Sequence, residues 1–161
     1  MQADVVLAIY RLLESHQIPI WIDGGWGIDA LIGRQTRSHK DLDIAVEHCH
    51  VTKLREILLG HGYGPVASPD QQDFMFVLQD QAGRKLDVHS FTFDATGNHI
   101  YGVQYPSASL TGFGTIAGLR VRCICLEYVL IFHGNFEPDD EDRQDIQALV
   151  EEFGVRPPAN Y

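Results

Sequence analysis

The chain has 161 residues, 45% of them hydrophobic and 21% charged, which is one ordinary globular domain with enough apolar content for a core. Its 22 acids against 12 bases give a net charge of −10, a balance that repels nucleic-acid backbones and suits a cationic small molecule. Short apolar runs, no basic-then-apolar leader after Met1, and an odd count of 3 cysteines argue against membrane insertion, export and a disulfide framework, so a cytoplasmic setting is expected.

Val5, Val6, Ile9, Leu12 and Leu13 recur at helical spacing and predict a helix over 4–16. The run from Ile18 to Asp23 reads as a buried strand entering a Gly24-Gly25 turn, with a short helix over Trp26–Ile32 after it. Asp41-Leu-Asp-Ile-Ala-Val46 predicts a second, central strand. Val51, Leu54, Ile57 and Leu58 form a helical stripe that ends at Gly60 to Gly62. Phe74–Leu78 and Lys85–Phe91 predict a hairpin with Gly83 in its turn. Residues 92–115, rich in Gly, Ser, Tyr and Asn, read as loop-dominated. A strand over 119–124, a helix over 126–133 and a last helix starting in the acidic Pro138–Asp142 and ending near Glu152 complete the pattern. With no repeat, linker or second core, one domain over 1–161 is expected, its core over about 1–95 and its substrate-side loops and helices over about 96–161.

Side chains two apart on a strand share a face, so Asp41 and Asp43 present two carboxylates together. Buried side by side, they are costly without a cation between them. Mg²⁺ suits such oxygen ligands and arrives with substrate phosphates. Backbone N–H groups of Gly24 and Gly25, at a positive helix end, suit those phosphates. On the second hairpin strand Asp87 and His89 face away from Leu86 and Val88, which lets Asp87 join the acidic face. Arg37 and His39 precede the Asp-x-Asp strand, within reach of a triphosphate, and an Arg fork matches phosphate geometry. Asp29 reads either as a metal or substrate group or as a capping, solvent-facing acid. Trp26 reads as packing and His89 as a core-edge histidine beside Asp87. Glu47-His-Cys-His50 reads as a solvated strand end rather than a metal cluster, and Cys123 with Cys125 as a buried thiol pair.

The run Gly24-Gly25-Trp26-Gly27-Ile28-Asp29, then Gly33 to His39 with its Thr-Arg-x-His step, then Asp41-Leu42-Asp43, resembles the antibiotic nucleotidyltransferases of the DNA polymerase beta-like superfamily. Lincosamide nucleotidyltransferases and aminoglycoside 2''-adenylyltransferases are the branch it is most similar to. The dense match covers residues 18–47; a looser one adds Lys85–His89 and His133–Val150. The wider superfamily usually has Gly-Ser at the turn, so Gly-Gly here removes a hydroxyl and leaves binding to backbone N–H groups. The resemblance implies an α/β (α+β) nucleotidyltransferase fold: a mixed sheet flanked by helices, expected on one side, with the C-terminal helices packed on the core. It implies transfer of a nucleoside monophosphate from an NTP, expected to be ATP, to a hydroxyl of a small molecule. A lincosamide is the first acceptor class and an aminoglycoside the second. By the same resemblance Asp41, Asp43 and Asp87 are the catalytic and metal residues for two Mg²⁺ ions, with Asp87 acting on the acceptor hydroxyl. Gly24, Gly25, Arg37 and His39 then hold the nucleotide. A metal-dependent hydrolase and a silent nucleotide-binding or toxin–antitoxin protein stand as alternatives. So short a chain leaves little to wall off an acceptor, so two readings stand side by side: a homodimer with Phe91–Phe113, including Tyr101 and Tyr105, as its contact, or a monomer whose acceptor pocket these aromatics line.

Overall fold

The structure is a computed structural model that describes residues 1–67 and 71–161. Five helices, α1 (Ala3–Ser15), α2 (Gly24–Ile32), α3 (Val51–Gly60), α4 (Leu126–His133) and α5 (Asp140–Phe153), surround one sheet. Its strands are β1 (Ile20–Asp23), β2 (Asp41–Glu47), β3 (Gly64–Val66), β4 (Met75–Gln79), β5 (Lys85–Phe93), β6 (His99–Gly102), β7 (Gly112–Ile116) and β8 (Leu119–Cys123). The order across the sheet is β3-β4-β5-β2-β1-β8-β7, with β6 added on the far end of β5. The sheet is mixed. β2 runs parallel to β5 and antiparallel to β1, which runs parallel to β8.

Alternation along β2 divides the core. Leu42, Ile44 and Val46 join α1 and α3 in one apolar cluster, built with Val6, Leu13, Leu54 and Leu58. Ala45 belongs to the other cluster, with Phe91, Ile124, Val129 of α4, and Ile146 and Leu149 of α5. Helices therefore cover both faces of the sheet, not the one side expected, because both faces of β2 carry buried apolar side chains. The C-terminal helices do pack on the core, on the face that also bears Asp41 and Asp43. No described helix is long and apolar enough to cross a membrane.

The hairpin β4–β5 forms as expected. Gly83 takes φ +80° in its turn, and Asp80 Oδ1 accepts the N–H of Ala82 and Arg84. The loop-dominated stretch, whose reading left room for short strands, holds β6 and all but the last residue of β7. β7 pairs with β8 beside β1, so the sheet extends well past residue 95. The last helix starts in the acidic run, with Asp139 and Asp142 forming a capping box.

Candidate active site

The register of the central strands places three carboxylates in one row. Asp23 of β1 stands opposite Asp43 of β2, and Asp43 stands opposite Asp87 of β5. Asp41 lies two residues along β2 on the same face. Neighbouring strands lie about 4.8 Å apart, so the row is compact. Asp23 was not singled out by the sequence pattern. Its place at the end of a buried strand was visible, but not which strand would lie beside it.

This crowding has electrostatic consequences. Burial first, then the charges of Asp41, Asp23 and Asp87, push the Asp43 carboxyl well above the ordinary carboxylate range. Burial also raises Asp87, against the opposing effect of His89. A donor set made wholly of carboxylate oxygens, short of positive charge, fits a hard divalent cation. Among the described residues, the one trio of Asp, Glu, His or Cys whose ligand atoms come within 4.8 Å of one another lies elsewhere: Glu47, Cys49 and His50. The expected solvated strand end thus does bring three ligand types together. Glu47 and Cys49 are exposed there, consistent with that expectation. The Asp41, Asp43 and Asp87 carboxylates stand wider apart than that trio, as like charges do.

The glycine turn adjoins this row. α2 begins at Gly24 itself, so the two glycines form the helix's first turn rather than preceding it. Asp23 caps the helix, its Oδ1 accepting the Gly24 N–H at 2.8 Å. Gly24 has φ +56°, and a Cβ there would stand 2.3 Å from Asp43 Oδ2. A Cβ at Gly25 would lie 2.5 Å from His39 Nδ1 and 2.8 Å from Arg37 Nη2. The turn therefore has no side chain because the acids and the Arg–His loop press against it. The first-turn N–H groups that follow lack helical partners, and Gly25 and Trp26 line this cleft.

Arg37 and His39 both line the cleft, and both have protein partners. The Arg37 fork donates from Nε and Nη2 to Asp145 of α5 at 2.8 and 2.7 Å, and from Nη1 to Glu141 and the Ser38 carbonyl. The hydrogen bond to Asp145 raises the guanidinium pKa further. One N–H, on Nη2, is left over, and Nη2 is the atom that faces Gly25. His39 Nε2 pairs with Asp29 Oδ2, while Asp29 Oδ1 accepts from the N–H and hydroxyl of Thr36. Asp29 is 1% exposed, so it is neither solvent-facing nor a free ligand; it holds the Thr-Arg-Ser-His loop in place. Trp26 packs on the His39 ring, centroids 4.8 Å apart, as a packing residue should. Asp29 holds partners 7 and 10 residues on, across the loop, whereas the Asp145 and Glu141 partners of Arg37 lie more than 100 residues away, where no local pattern shows them.

Tyr105 is a further residue of the site. It is buried, and its hydroxyl donates to Asp23 Oδ2 at 2.6 Å. Burial, then Asp23, holds that hydroxyl well above the usual tyrosine pKa. His89 stands beside it, with Nε2 3.6 Å from Asp87 Oδ1. Phe91 and Tyr105 are thus core and site residues, and the large hydrophobic side chains of the expected contact surface that are exposed are Ile100, Tyr101 and Phe113. Cys123 is fully buried, its thiol pushed up to about 12, whereas Cys125 is only partly buried and starts α4.

The cleft encloses about 400 Å³. Its far wall is α4 and the entry to α5, with Phe132, His133 and Phe136 on one side and Asp139 and Asp142 on the other. Burial lowers the His133 pKa, and its Nδ1 hydrogen-bonds the Tyr161 hydroxyl at 2.6 Å. The cleft is therefore walled within one chain by the C-terminal helices.

Known proteins share this architecture. A lincosamide resistance protein of Staphylococcus haemolyticus is 29% identical over 151 residues, covering 88% of this chain and 89% of the relative. A 2''-aminoglycoside nucleotidyltransferase of Escherichia coli is 29% identical over 133 residues, covering 81% of this chain and 73% of the relative. The crystal structure of the lincosamide antibiotic adenylyltransferase LnuA, lincomycin-bound, superposes with a TM-score of 0.79 at 25% identity, over 92% of this chain and 96% of that one. A profile of the aminoglycoside-2''-adenylyltransferase family matches residues 5–149, nearly the whole described sheet and both site-bearing loops. The chain belongs to the aminoglycoside-2''-adenylyltransferase family, and is a nucleotidyltransferase.

Proposed function

We propose that this enzyme transfers a nucleoside monophosphate from an NTP, with ATP as the donor, to a hydroxyl of a lincosamide-type antibiotic. The observation that carries the reaction is the row Asp23–Asp43–Asp87 beside the bare Gly24–Gly25 helix end. The acceptor class rests on length. The lincosamide relative is matched over 89% of its chain and the aminoglycoside enzyme over 73%, so the aminoglycoside enzyme carries more chain with no counterpart here. An aminoglycoside is the second reading, supported by the acidic mouth at Asp139 and Asp142.

Asp41, Asp43 and Asp87 are the residues that would hold divalent metal, Mg²⁺ by the chemistry of their oxygens, at two positions. Bound there, the metal neutralises the charge that develops on the transferring phosphoryl group and its leaving pyrophosphate. Asp87, at the row's outer end, orients the acceptor hydroxyl and takes its proton, as its raised pKa suits. The N–H of Gly25 and the spare Nη2 hydrogen of Arg37 receive phosphate oxygens, Gly24, whose own N–H goes to Asp23, leaves room for them by lacking a side chain, and His39 keeps its loop seated through Asp29. Phe132 and Phe136 cover the apolar side of the acceptor and keep water off the reacting hydroxyl. Free thiols and ATP use fit a cytoplasmic enzyme, and one domain spanning 1–161 fits the single sheet. A two-fold dimer is part of the proposal on the strength of exposed Ile100, Tyr101 and Phe113, and sedimentation at micromolar concentration tests it.

Labelled ATP offered with panels of lincosamides and aminoglycosides tests the reaction. Label on a lincosamide together with pyrophosphate release is the expected result. Phosphate release to water alone, with no labelled product, would leave a hydrolase instead.

A further inference from the structure

We propose that Tyr105 is a positioning residue for nucleotidyl transfer, its hydroxyl tying the glycine turn to the third acid through Asp23 and His89. The proposal rests on the reading of the cleft given above.

Tyr105 lies between β6 and the short helical turn at Ser107–Thr111, far from the acids in sequence. Its ring is 4% exposed and packs edge-on against Phe91 of the sheet and Phe132 of α4, with centroids 5.8 and 5.9 Å away. The place of its hydroxyl is therefore set from two sides by packing. That hydroxyl has one hydrogen, and it goes to Asp23 Oδ2 at 2.6 Å. The oxygen also lies 3.3 Å from His89 Nδ1. With its hydrogen spent on Asp23, the hydroxyl can only accept from His89, so Nδ1 must carry a hydrogen. His89 Nδ1 thereby donates to the hydroxyl, which sets the ring with its Nε2 turned toward Asp87 Oδ1, 3.6 Å away.

The other end of the chain is Asp23 Oδ1, which accepts the Gly24 N–H. One line of hydrogen bonds thus crosses the cleft, from the phosphate side at Gly24 to the acceptor side beside Asp87. It also explains how two facing acids do different work. Asp23 stands opposite Asp43 in register, yet both its oxygens are engaged, so it stays the cap of α2 and does not compete with Asp41, Asp43 and Asp87 for a cation. Without the Tyr105 hydroxyl, Asp23 Oδ2 is free to swing toward Asp43, and His89 loses what orients it.

Tyr105→Phe keeps the ring and its packing and removes only the hydroxyl. Nitrogen-15 NMR of the metal-free wild type should show a hydrogen on His89 Nδ1, and the variant should lose that preference while remaining folded. In the variant, kcat should fall about tenfold or more, the size of one lost hydrogen bond to a charged group, while the acceptor KM stays within about twofold, the sign of an interaction that acts on the transition state. An Nε2–H tautomer in the wild type overturns the hydrogen-bond line, and does so even if the variant fails to fold. Wild-type tautomer and wild-type kcat in Tyr105→Phe overturn the positioning role. A wild type with a hydrogen on His89 Nδ1 but no transfer to any acceptor overturns the functional reading instead, and the catalytic half of this proposal with it.

Discussion

Arg37 and Asp145, 108 residues apart, are joined by two hydrogen bonds of 2.8 and 2.7 Å, and the Asp145 side chain is 3% exposed. A guanidinium so placed aims its remaining hydrogen at the glycine turn only while α5 holds the fork. Removing Asp145 would strip the two hydrogen bonds from Nε and Nη2 of a largely buried guanidinium and leave it only its Nη1 contacts to Glu141 and Ser38, at a cost of about 1.5–3 kcal/mol. Asp145→Ala should therefore lower stability in urea by that order and weaken Mg·ATP binding in calorimetry. Arg37→Ala should weaken Mg·ATP binding with little change in acceptor affinity. A loss below about 1 kcal/mol for Asp145→Ala, the range of exposed pairs, together with unchanged nucleotide affinity in both variants, would reduce the fork to a surface contact.

The raised pKa of Asp43 carries a pH signature. Its carboxyl binds a proton more tightly folded than unfolded, so it costs stability when ionised. The metal-free protein should accordingly gain stability as pH falls from the folded pKa of Asp43 toward the ordinary carboxylate value near 3.8, the unfolded reference. Asp43→Asn should remove this component and be more stable than wild type near neutral pH in chelator, while gaining less from added Mg²⁺. Thermal midpoints across pH, with and without Mg²⁺, measure both effects. An asparagine variant less stable than wild type in chelator at neutral pH would contradict the strain.

The acids should separate kinetically. Asp41→Asn and Asp43→Asn should each abolish turnover with the fold intact, because charge neutralisation supplies most of the catalysis in phosphoryl transfer. A residual rate above about a tenth of wild type, a loss of only about 1.4 kcal/mol, would be too large for metal ligands. Asp87→Asn should lower kcat far more than it weakens nucleotide binding, since its work is on the acceptor hydroxyl. Equal losses of nucleotide affinity in Asp87→Asn and Asp41→Asn would deny it a separate role.

Gly25→Ala tests the phosphate cradle. The added methyl meets His39 Nδ1 and Arg37 Nη2 at 2.5 and 2.8 Å, and Asp29 and Asp145 hold those groups from behind. The nucleotide dissociation constant should rise at least about tenfold, a shift of about 1.4 kcal/mol, with acceptor affinity nearly unchanged. Nucleotide affinity at the wild-type level would remove the turn from the binding site.

The acidic face of β2 was legible because its signal is local. Asp41 and Asp43 alternate with Leu42 and Ile44, and period-2 alternation assigns faces without any knowledge of neighbours. The face of Asp87 was legible on the same grounds, and its place in the site came from the family resemblance. Asp23, Tyr105 and Asp145 were not, because their roles come from pairings across 20 to 108 residues that no local pattern encodes. β7 was hidden for a different reason. Gly112 and Gly114 read as loop residues, yet a Cβ at Gly114 would lie 2.2 Å from the Ala30 carbonyl oxygen of α2. Glycine is there because helix and strand backbones nearly touch, and that closeness is invisible in one dimension.

The parallel pairing of β1 with β8, which joins Ile22 to Cys123, has a bearing on how the molecule comes into being. Together with the α5 clamp on Arg37, it means that contacts of long sequence separation, not local ones, complete both the sheet and the nucleotide side of the cleft. Topology of this kind slows the search for the native state, since distant segments must meet before either gains from the contact. The chain should reach its working geometry in one late cooperative step, so a nascent or truncated fragment ending before residue 140 would hold the Asp-x-Asp motif without a competent catalyst around it.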